Sequence, residues 1–367
     1  MQMLADGTGG FTIYNTNDLL GGLQRIAQEM NHFYVLGYVP GATEEGSCHA
    51  LKVKANRNGL EVRSRTGYCN VRPTNPLDGK PIEKQMEAQA SGSAQGTIHA
   101  SMETPYFYAA PNIARVNLSM ELPGDSIVFN KDKGKYHANV NVLGIAYKPD
   151  GSVGARFSDT LNFDMEKDEW KEFAKQPYRY QNQFDAAPGV YKLSVVLSSG
   201  GEGFAKIERP LQIDAYDGEK FTLGGVVLSA SMQRVDEIPT EVDATLLEDR
   251  KPLIVKGMQI NPAASYQFKK TDNVVLYSEL YEPLLKTDPA MKVVAGYRVF
   301  DASNKQVFFT GGVPLDGFVE KGNAIVPFAL KVDTKDLPPG NYKLVLLAVD
   351  GKNNQAPQRP VEFSLGN

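Results

Sequence analysis

One short motif occurs twice and sets the strongest limit on what this chain can fold into. Residues 187–193 read APGVYKL and residues 338–344 read PPGNYKL, so that Tyr191 and Tyr342 lie 151 positions apart. A Pro-Gly pair favours a tight turn into a strand. A tyrosine just inside that strand can bury its ring while its hydroxyl bonds the backbone of the preceding loop. The repeat therefore predicts two copies of one β fold.

Short alternating patterns of apolar and polar residues predict strands around both copies. The first set covers residues 114–122, 136–147, 154–163, 189–197 and 205–213, and the second covers 223–231, 273–281, 292–300, 306–311, 323–332, 340–349 and 360–365. Turn signals separate these strands, and a tyrosine corner is typical of immunoglobulin-like sandwiches. We predict a mainly-β chain with antiparallel immunoglobulin-like β-sandwiches at residues 102–216 and 217–367. A short helix is expected within 164–175, and a linker with one helix at 82–90 is expected within 71–101.

A different pattern precedes these strands, in residues 4–40. A Gly-rich turn at 7–10 leads to a predicted strand at 11–14, a helix at 18–30 and a second strand at 33–38. Such a strand-helix-strand unit needs further parallel strands beside it, and the neighbouring sequence supplies none. We therefore expect the rest of the sheet to lie upstream of Met1. The apolar helix residues should then be poorly buried or packed on the next hairpin; they are Leu19, Leu23, Ile26 and Met30.

Several short matches in this segment carry a resemblance to a known family. They are LAD at 4–6 with TGG at 8–10, NTNDL at 15–19, YVLGY at 34–38, and GLEVR at 59–63 with RTGY at 65–68. Residues 1–70 resemble the C-terminal part of a von Willebrand factor A-related domain, of the version common in secreted or envelope proteins of Acidobacteria. The resemblance implies a partial α/β remnant of that domain. The family's metal site, an Asp-x-Ser-x-Ser loop, falls outside the matching part, so we expect no metal ligand and no cofactor.

Two cysteines flank a predicted hairpin with strands at 51–55 and 60–65. If Ala55 faces Leu60, Cys48 and Cys69 are near neighbours at its base. Either they form a disulfide, worth roughly 3 kcal/mol for a loop of about 21 residues, or they are independent buried thiols. A disulfide would indicate an oxidising compartment. We expect a periplasmic, cell-envelope or secreted location.

Composition and charge exclude several classes of protein. The 367 residues are 42% hydrophobic and 22% charged, which is typical of a folded chain of two or three domains. A net charge of -4 without a basic cluster argues against a nucleic-acid partner. Apolar runs stay well below the roughly 18 residues of a membrane helix, so no transmembrane segment is expected.

Candidate sites are few. Asp150-Gly151-Ser152 imitates the start of a metal loop, but a plain hairpin turn is the favoured interpretation. The acidic residues within 164–169 are better explained by the first turn of a helix than by calcium. Two aromatic clusters can form either a recognition surface or a core or domain junction. They consist of Tyr106, Phe107 and Tyr108, and of Tyr178 and Tyr180.

The sequence offers no nucleophile with a base and no phosphate-binding or dinucleotide motif. We therefore expect a non-catalytic extracytoplasmic module that binds an unknown protein or cell-surface partner. Two alternatives stay open. The sandwiches can be glycan-binding accessory domains of a carbohydrate-processing or proteolytic system, or they can be an architectural spacer.

Overall fold

The computed structural model describes residues 10–13, 19–31, 48–57, 62, 67–69, 77–200, 203–235 and 252–366. The chain divides into two compact units, Met1–Asn75 and Pro76–Asn367. Strands, mostly in antiparallel sheets, dominate the described elements. The predicted mainly-β class is confirmed.

The first unit contains one described helix and a short ladder. Helix α1 (Leu19–Asn31) lies within one residue of its prediction, and strand β1 (Cys48–Ala50) pairs antiparallel with β2 (Gly67–Cys69). Residues 51–55 are not in a strand, so the predicted hairpin is wrong there, and residues 11–13 are not in a strand either. The predicted strand at 33–38 lies outside the described residues. Leu23 and Ile26 are 63% and 40% exposed, which confirms their expected poor burial. The side chains of Leu19 and Met30 also lie outside the described part.

The second unit begins with helix α2 (Pro81–Ser91) and a first β-sandwich. The elements of the sandwich are β3 (Ser101–Glu103), β4 (Tyr106–Ala110), β5 (Ile113–Pro123), β6 (Asn130–Asp132), β7 (Lys135–Tyr147), β8 (Val153–Met165), α3 (Lys167–Lys175), β9 (Pro177–Ala186), β10 (Gly189–Ser198) and β11 (Ala205–Ile213). In one sheet, β5 pairs with β3, β4 and β9. The other sheet has the order β11-β10-β7-β8, with β6 beside the start of β7. Alternate apolar residues of both sheets, such as Leu118, Val140 and Val195, form the shared core.

A second sandwich follows in the same unit. Its elements are β12 (Thr222–Leu223), β13 (Val227–Ser229), β14 (Met232–Arg234), β15 (Leu253–Val255), β16 (Met258–Ile260), β17 (Gln267–Lys269), β18 (Val275–Tyr281), β19 (Val293–Asp301), β20 (Gln306–Phe309), β21 (Val313–Pro314), β22 (Ile325–Lys331), β23 (Gly340–Asp350) and β24 (Arg359–Gly366). Here β18 pairs with β12, β13 and β22, and the facing sheet has the order β17-β24-β23-β19-β20 with β21 also on β19. A small sheet of β14, β16 and β15 packs outside β18.

The repeated motif makes the same contact in both sandwiches. Tyr191 Oη donates a hydrogen bond to Ala187 O at 2.9 Å, and Tyr342 Oη donates one to Pro338 O at 2.5 Å. Both tyrosines are buried, in β10 and β23 respectively. The predicted role of the two tyrosines is confirmed, and the matching strand orders support the predicted repeat.

Helix α2 belongs to the first sandwich and is not part of a linker, which corrects the prediction for this segment. Met86 and Ala90 are at most 1% exposed, and they pack on Leu143 and Val196 on the outer face of β7 and β10. Arg156 of β8 forms ion pairs with Glu83 and Glu87, one turn apart on the helix. The sheet is therefore covered on both faces.

Candidate functional site: a buried joint and an exposed sheet face

The predicted aromatic clusters do not form an exposed recognition surface. Tyr106, Phe107, Tyr108 and Tyr180 are between 2% and 7% exposed. Tyr178 is half-buried against Phe163 and Phe173. The recognition-surface interpretation is thus wrong for the four buried residues. Their burial favours the alternative of a core or domain junction.

Strand β4 lies where the two sandwiches meet. Because successive side chains of a strand point to opposite faces, Tyr106 and Tyr108 enter the core of the first sandwich and Phe107 points to the second. The centre of the Phe107 ring lies 5.4 Å from that of Tyr277. Gly225 N donates a hydrogen bond to Tyr106 O at 2.7 Å. A Cβ on Gly225 would lie 2.8 Å from Tyr106 N, so this close approach of the two backbones requires glycine.

A buried carboxylate of the second sandwich accepts hydrogen bonds at this boundary. Glu279, which is 5% exposed, accepts hydrogen bonds from Tyr277 Oη at 3.0 Å and Tyr281 Oη at 2.5 Å. Tyr281 Oη in turn accepts one from Tyr108 N at 2.8 Å. Burial, and then the negative charge of Glu279, raise the pKa of both tyrosines far above its usual value. Both phenols therefore stay protonated as donors.

An ion pair also connects the two sandwiches at this boundary. Arg359 of β24 pairs with Asp214, which follows β11 of the first sandwich, and also donates two hydrogen bonds to Leu223 O at 2.9 and 2.7 Å. Its guanidinium carbon lies 5.8 Å from the centre of the Tyr106 ring. We call this network the joint; it consists of Tyr106, Tyr108, Asp214, Tyr277, Glu279, Tyr281 and Arg359. Two of its polar contacts cross the boundary, the hydrogen bond from Tyr108 N to Tyr281 Oη and the ion pair of Arg359 with Asp214, and both constrain the angle between the sandwiches.

The acidic motifs have structural roles. Asp150 Oδ1 accepts hydrogen bonds from Ser152 N at 2.9 Å and Ser152 Oγ at 2.7 Å, which confirms the hairpin turn and lowers the pKa of Asp150. Glu166 and Glu169 form a reciprocal capping box at the start of α3. Within the described ranges, no group of three or more His, Cys, Asp or Glu side chains is arranged to hold a metal ion.

The ladder of β1 and β2 places Cys48 directly opposite Cys69. Opposed residues of an antiparallel pair have Cα atoms roughly 4.5 to 5.5 Å apart, which suits a disulfide. The predicted neighbourhood of the two positions is confirmed at the level of the backbone. The disulfide itself stays a prediction.

One exposed surface was not found from the sequence. It is the outer face of the second sandwich, which we call the β19–β23 face, and it consists of Val294, Arg298 and Phe300 of β19, Phe309 of β20, and Lys343, Val345, Leu347 and Val349 of β23. Phe309 is 49% exposed, and Val294, Leu347 and Val349 are partly exposed, whereas Val345 is buried. The described hydrophobic clusters include none of these apolar side chains. The face is therefore an apolar stripe that carries two cations, with the exposed Glu362 of β24 directly opposite Lys343.

Both cations lie over aromatic rings of the face. The Arg298 guanidinium carbon is 5.3 Å from the centre of the Phe309 ring, and Lys343 Nζ is 5.4 Å from that of Phe300. Lys343 Nζ also donates a hydrogen bond to Asn304 Oδ1 at 2.9 Å. In the described part of the chain, neither cation forms an ion pair with a carboxylate. The uninterrupted apolar run in β23, from Leu344 through Val349, is the signal that could have revealed this surface, because it gives the strand two apolar faces.

Neither family models nor curated proteins match this sequence. Among the described helices, none has the length and apolar character that a membrane span needs.

Proposed function

We propose that this chain is a non-catalytic extracytoplasmic interaction module that binds a protein partner through the β19–β23 face. The von Willebrand factor A-related character of residues 1–70 and the immunoglobulin-like identity of the sandwiches are parts of the same proposal. The observation that carries it is the partly exposed apolar stripe on an otherwise well-packed sandwich. Contiguous apolar patches on soluble proteins commonly mark interaction sites.

The composition of the face supports a protein partner. Interface centres are enriched in aromatic residues and arginine, and both are present in Phe309 and Arg298. The side chains stand on paired strands, which hold them in fixed positions before a partner arrives. Little conformational entropy then remains to be lost on binding.

The test compares two exposed apolar positions. Phe309→Glu places a charge in the face, and Val190→Glu does the same at a 56% exposed site in the first sandwich. Binding of each purified variant to the cell-envelope and secreted fractions of the source organism is measured, with thermal melts to show that both are folded. We expect Phe309→Glu to bind at least about tenfold more weakly, because it removes an aromatic residue of the kind whose loss at an interface commonly costs about 2 kcal/mol or more. Equal binding of Phe309→Glu and wild type would refute the proposal.

A second candidate function, an architectural spacer, is favoured by the joint. A spacer needs a fixed angle between its sandwiches and no recognition surface. It predicts that Phe309→Glu leaves function unchanged, whereas loosening the joint with Tyr281→Phe alters it. Glycan binding through the aromatic clusters is not proposed, because Tyr106 is buried and Tyr178 half-buried.

A further inference from the structure

We infer that the β19–β23 face receives an amphipathic helix of the partner protein, with acidic residues beside its apolar stripe. The inference rests on the proposed function and names the class of partner for the same face. Its argument comes from the first sandwich, which already holds such a helix.

The two sandwiches present equivalent outer faces. Strands β7 and β10 pair in the first sandwich as β19 and β23 pair in the second, and the second member of each pair carries the tyrosine of the repeated motif. On the first face, Met86 and Ala90 of α2 cover Leu143 and Val196, which are completely buried. A helix of 11 residues is enough to cover that face.

The second face has a similar apolar character and, among the described elements, no covering helix; the backbone at Gly311 and Gly312 covers only Gly296 and one side of Val294. Gly296 lies opposite Leu347, and Val294 lies opposite Val349, so the apolar side chains line two neighbouring strands. Leu347 and Val349 are partly exposed, and Phe309 is nearly half exposed. A helix lying across β19 and β23 would remove this apolar surface from water.

The charged residues of the face predict which charged residues the partner's helix carries. In the first sandwich, Arg156 receives two carboxylates one turn apart on α2, Glu83 and Glu87. In the second sandwich, Arg298 and Lys343 form no ion pair among the described residues, and the exposed Glu362 lies directly opposite Lys343 on β24. A helix that places Glu or Asp at positions i and i+4 beside its apolar residues would meet this arrangement as α2 does. A basic helix would face two like charges.

Synthetic helical peptides test the inference with the intact chain. Three stapled peptides share one length: the first has an apolar stripe flanked by Glu, the second has Lys in place of each Glu, and the third keeps the Glu residues but scrambles the stripe. Affinity is measured by fluorescence anisotropy, and the contact surface by amide shifts of the labelled chain. We expect the Glu peptide to bind at least about tenfold more tightly than the Lys peptide, with shifts in β19 and β23. The scrambled peptide should not bind.

Charge reversal provides the matched control. Arg298→Glu combined with Lys343→Glu should invert the preference between the Glu and Lys peptides, whereas Val190→Glu should leave it unchanged. Equal affinity for the Glu and Lys peptides, or shifts confined to other strands, would overturn the inference.

The two proposals fail separately. If no helical peptide binds but binding to the envelope or secreted fraction still requires Phe309, the face takes another class of partner and only the helix inference falls. If Phe309→Glu does not affect that binding either, the proposed function falls with it.

Discussion

Two acidic side chains, Glu282 and Asp350, are buried together at one end of the second sandwich, 1% and 4% exposed. Glu282 Oε1 accepts a hydrogen bond from Leu284 N at 2.9 Å, but its buried Oε2 meets no hydrogen-bond donor among the described residues. Asp350 Oδ1 already accepts bonds from Lys352 N and Asn354 N, both at 2.8 Å. Burial, and then the neighbouring Asp350, raise the pKa of Glu282 above its ordinary value. The charged form of Glu282 is therefore less favourable here than at an exposed position.

The substitution Glu282→Gln should stabilise the protein at about pH 8. It removes the buried charge, and its new Nε2 group can donate to Asp350. An unsatisfied buried acceptor costs about 1–3 kcal/mol, so we expect a gain of about 1–2 kcal/mol in the free energy of unfolding. Because the folded-state pKa of Glu282 is raised, the wild type loses stability as pH rises through that pKa. The gain should therefore shrink towards zero at about pH 4, where Glu282 is itself protonated.

Urea denaturation at both pH values measures this difference. Glu219→Gln, at an exposed position after the first sandwich, is the matched control and should change stability by less than about 0.5 kcal/mol at either pH. A Glu282→Gln protein no more stable than wild type at about pH 8 would refute the reasoning. A gain of equal size at both pH values would refute it too, since titration of Glu282 could not then be its cause.

Two further substitutions and one alkylation experiment test the joint, the helix cover and the cysteines. Tyr281→Phe removes a donor to the buried Glu279 and should cost about 1–3 kcal/mol in urea denaturation; an unchanged midpoint would argue against the network. Met86→Ala opens a cavity under α2 and should cost about 2–5 kcal/mol, with faster hydrogen exchange in the helix than elsewhere in the sandwich; uniform exchange would contradict a local effect. Cys48 and Cys69 should resist alkylation before reduction and react after it, as read by intact mass; two alkylated thiols in the unreduced protein would rule out the disulfide.

Local signals predicted most of the long strands and both tyrosine corners, but they missed β4 and β9 and did not show what covers the strands. The helix Pro81–Ser91 was predicted at 82–90, but the surface that it covers was not, because the helix and the sheet that it packs on are far apart in sequence. The relevant signal is the apolar run in β10 from Val195 through Leu197, whose side chains point to both faces of the sheet. In a strand with one solvent-exposed face, apolar and polar residues alternate, whereas a continuous run of apolar residues indicates that both faces are buried.

The aromatic cluster at 106–108 failed as a surface prediction for a related reason. Three consecutive aromatic residues in a strand must point to alternate faces, so burial of all three requires apolar surroundings on both sides of the strand. Tyr106 and Tyr108 enter one core and Phe107 another. Composition alone could not distinguish this arrangement from an exposed patch, because Tyr is common in both settings. The apolar run in β23 indicates that both faces of the strand are apolar, but the sequence does not show that the outer face of the sheet is partly exposed, because exposure is a tertiary property.

The joint also bears on the order of folding. Arg359 lies 145 positions beyond Asp214, and Tyr281 lies 173 positions beyond Tyr108, so closing the joint requires contacts between very distant parts of the chain. We expect such contacts to form late in folding. Closing a loop of this length costs conformational entropy, and that cost is reduced once both sandwiches have ordered the intervening chain. Loosening the joint should therefore speed unfolding and leave the folding rate nearly unchanged, a difference that stopped-flow kinetics resolves. The contacts between the sandwiches thus form after the folding transition state, and their main kinetic effect is to lower the rate of unfolding.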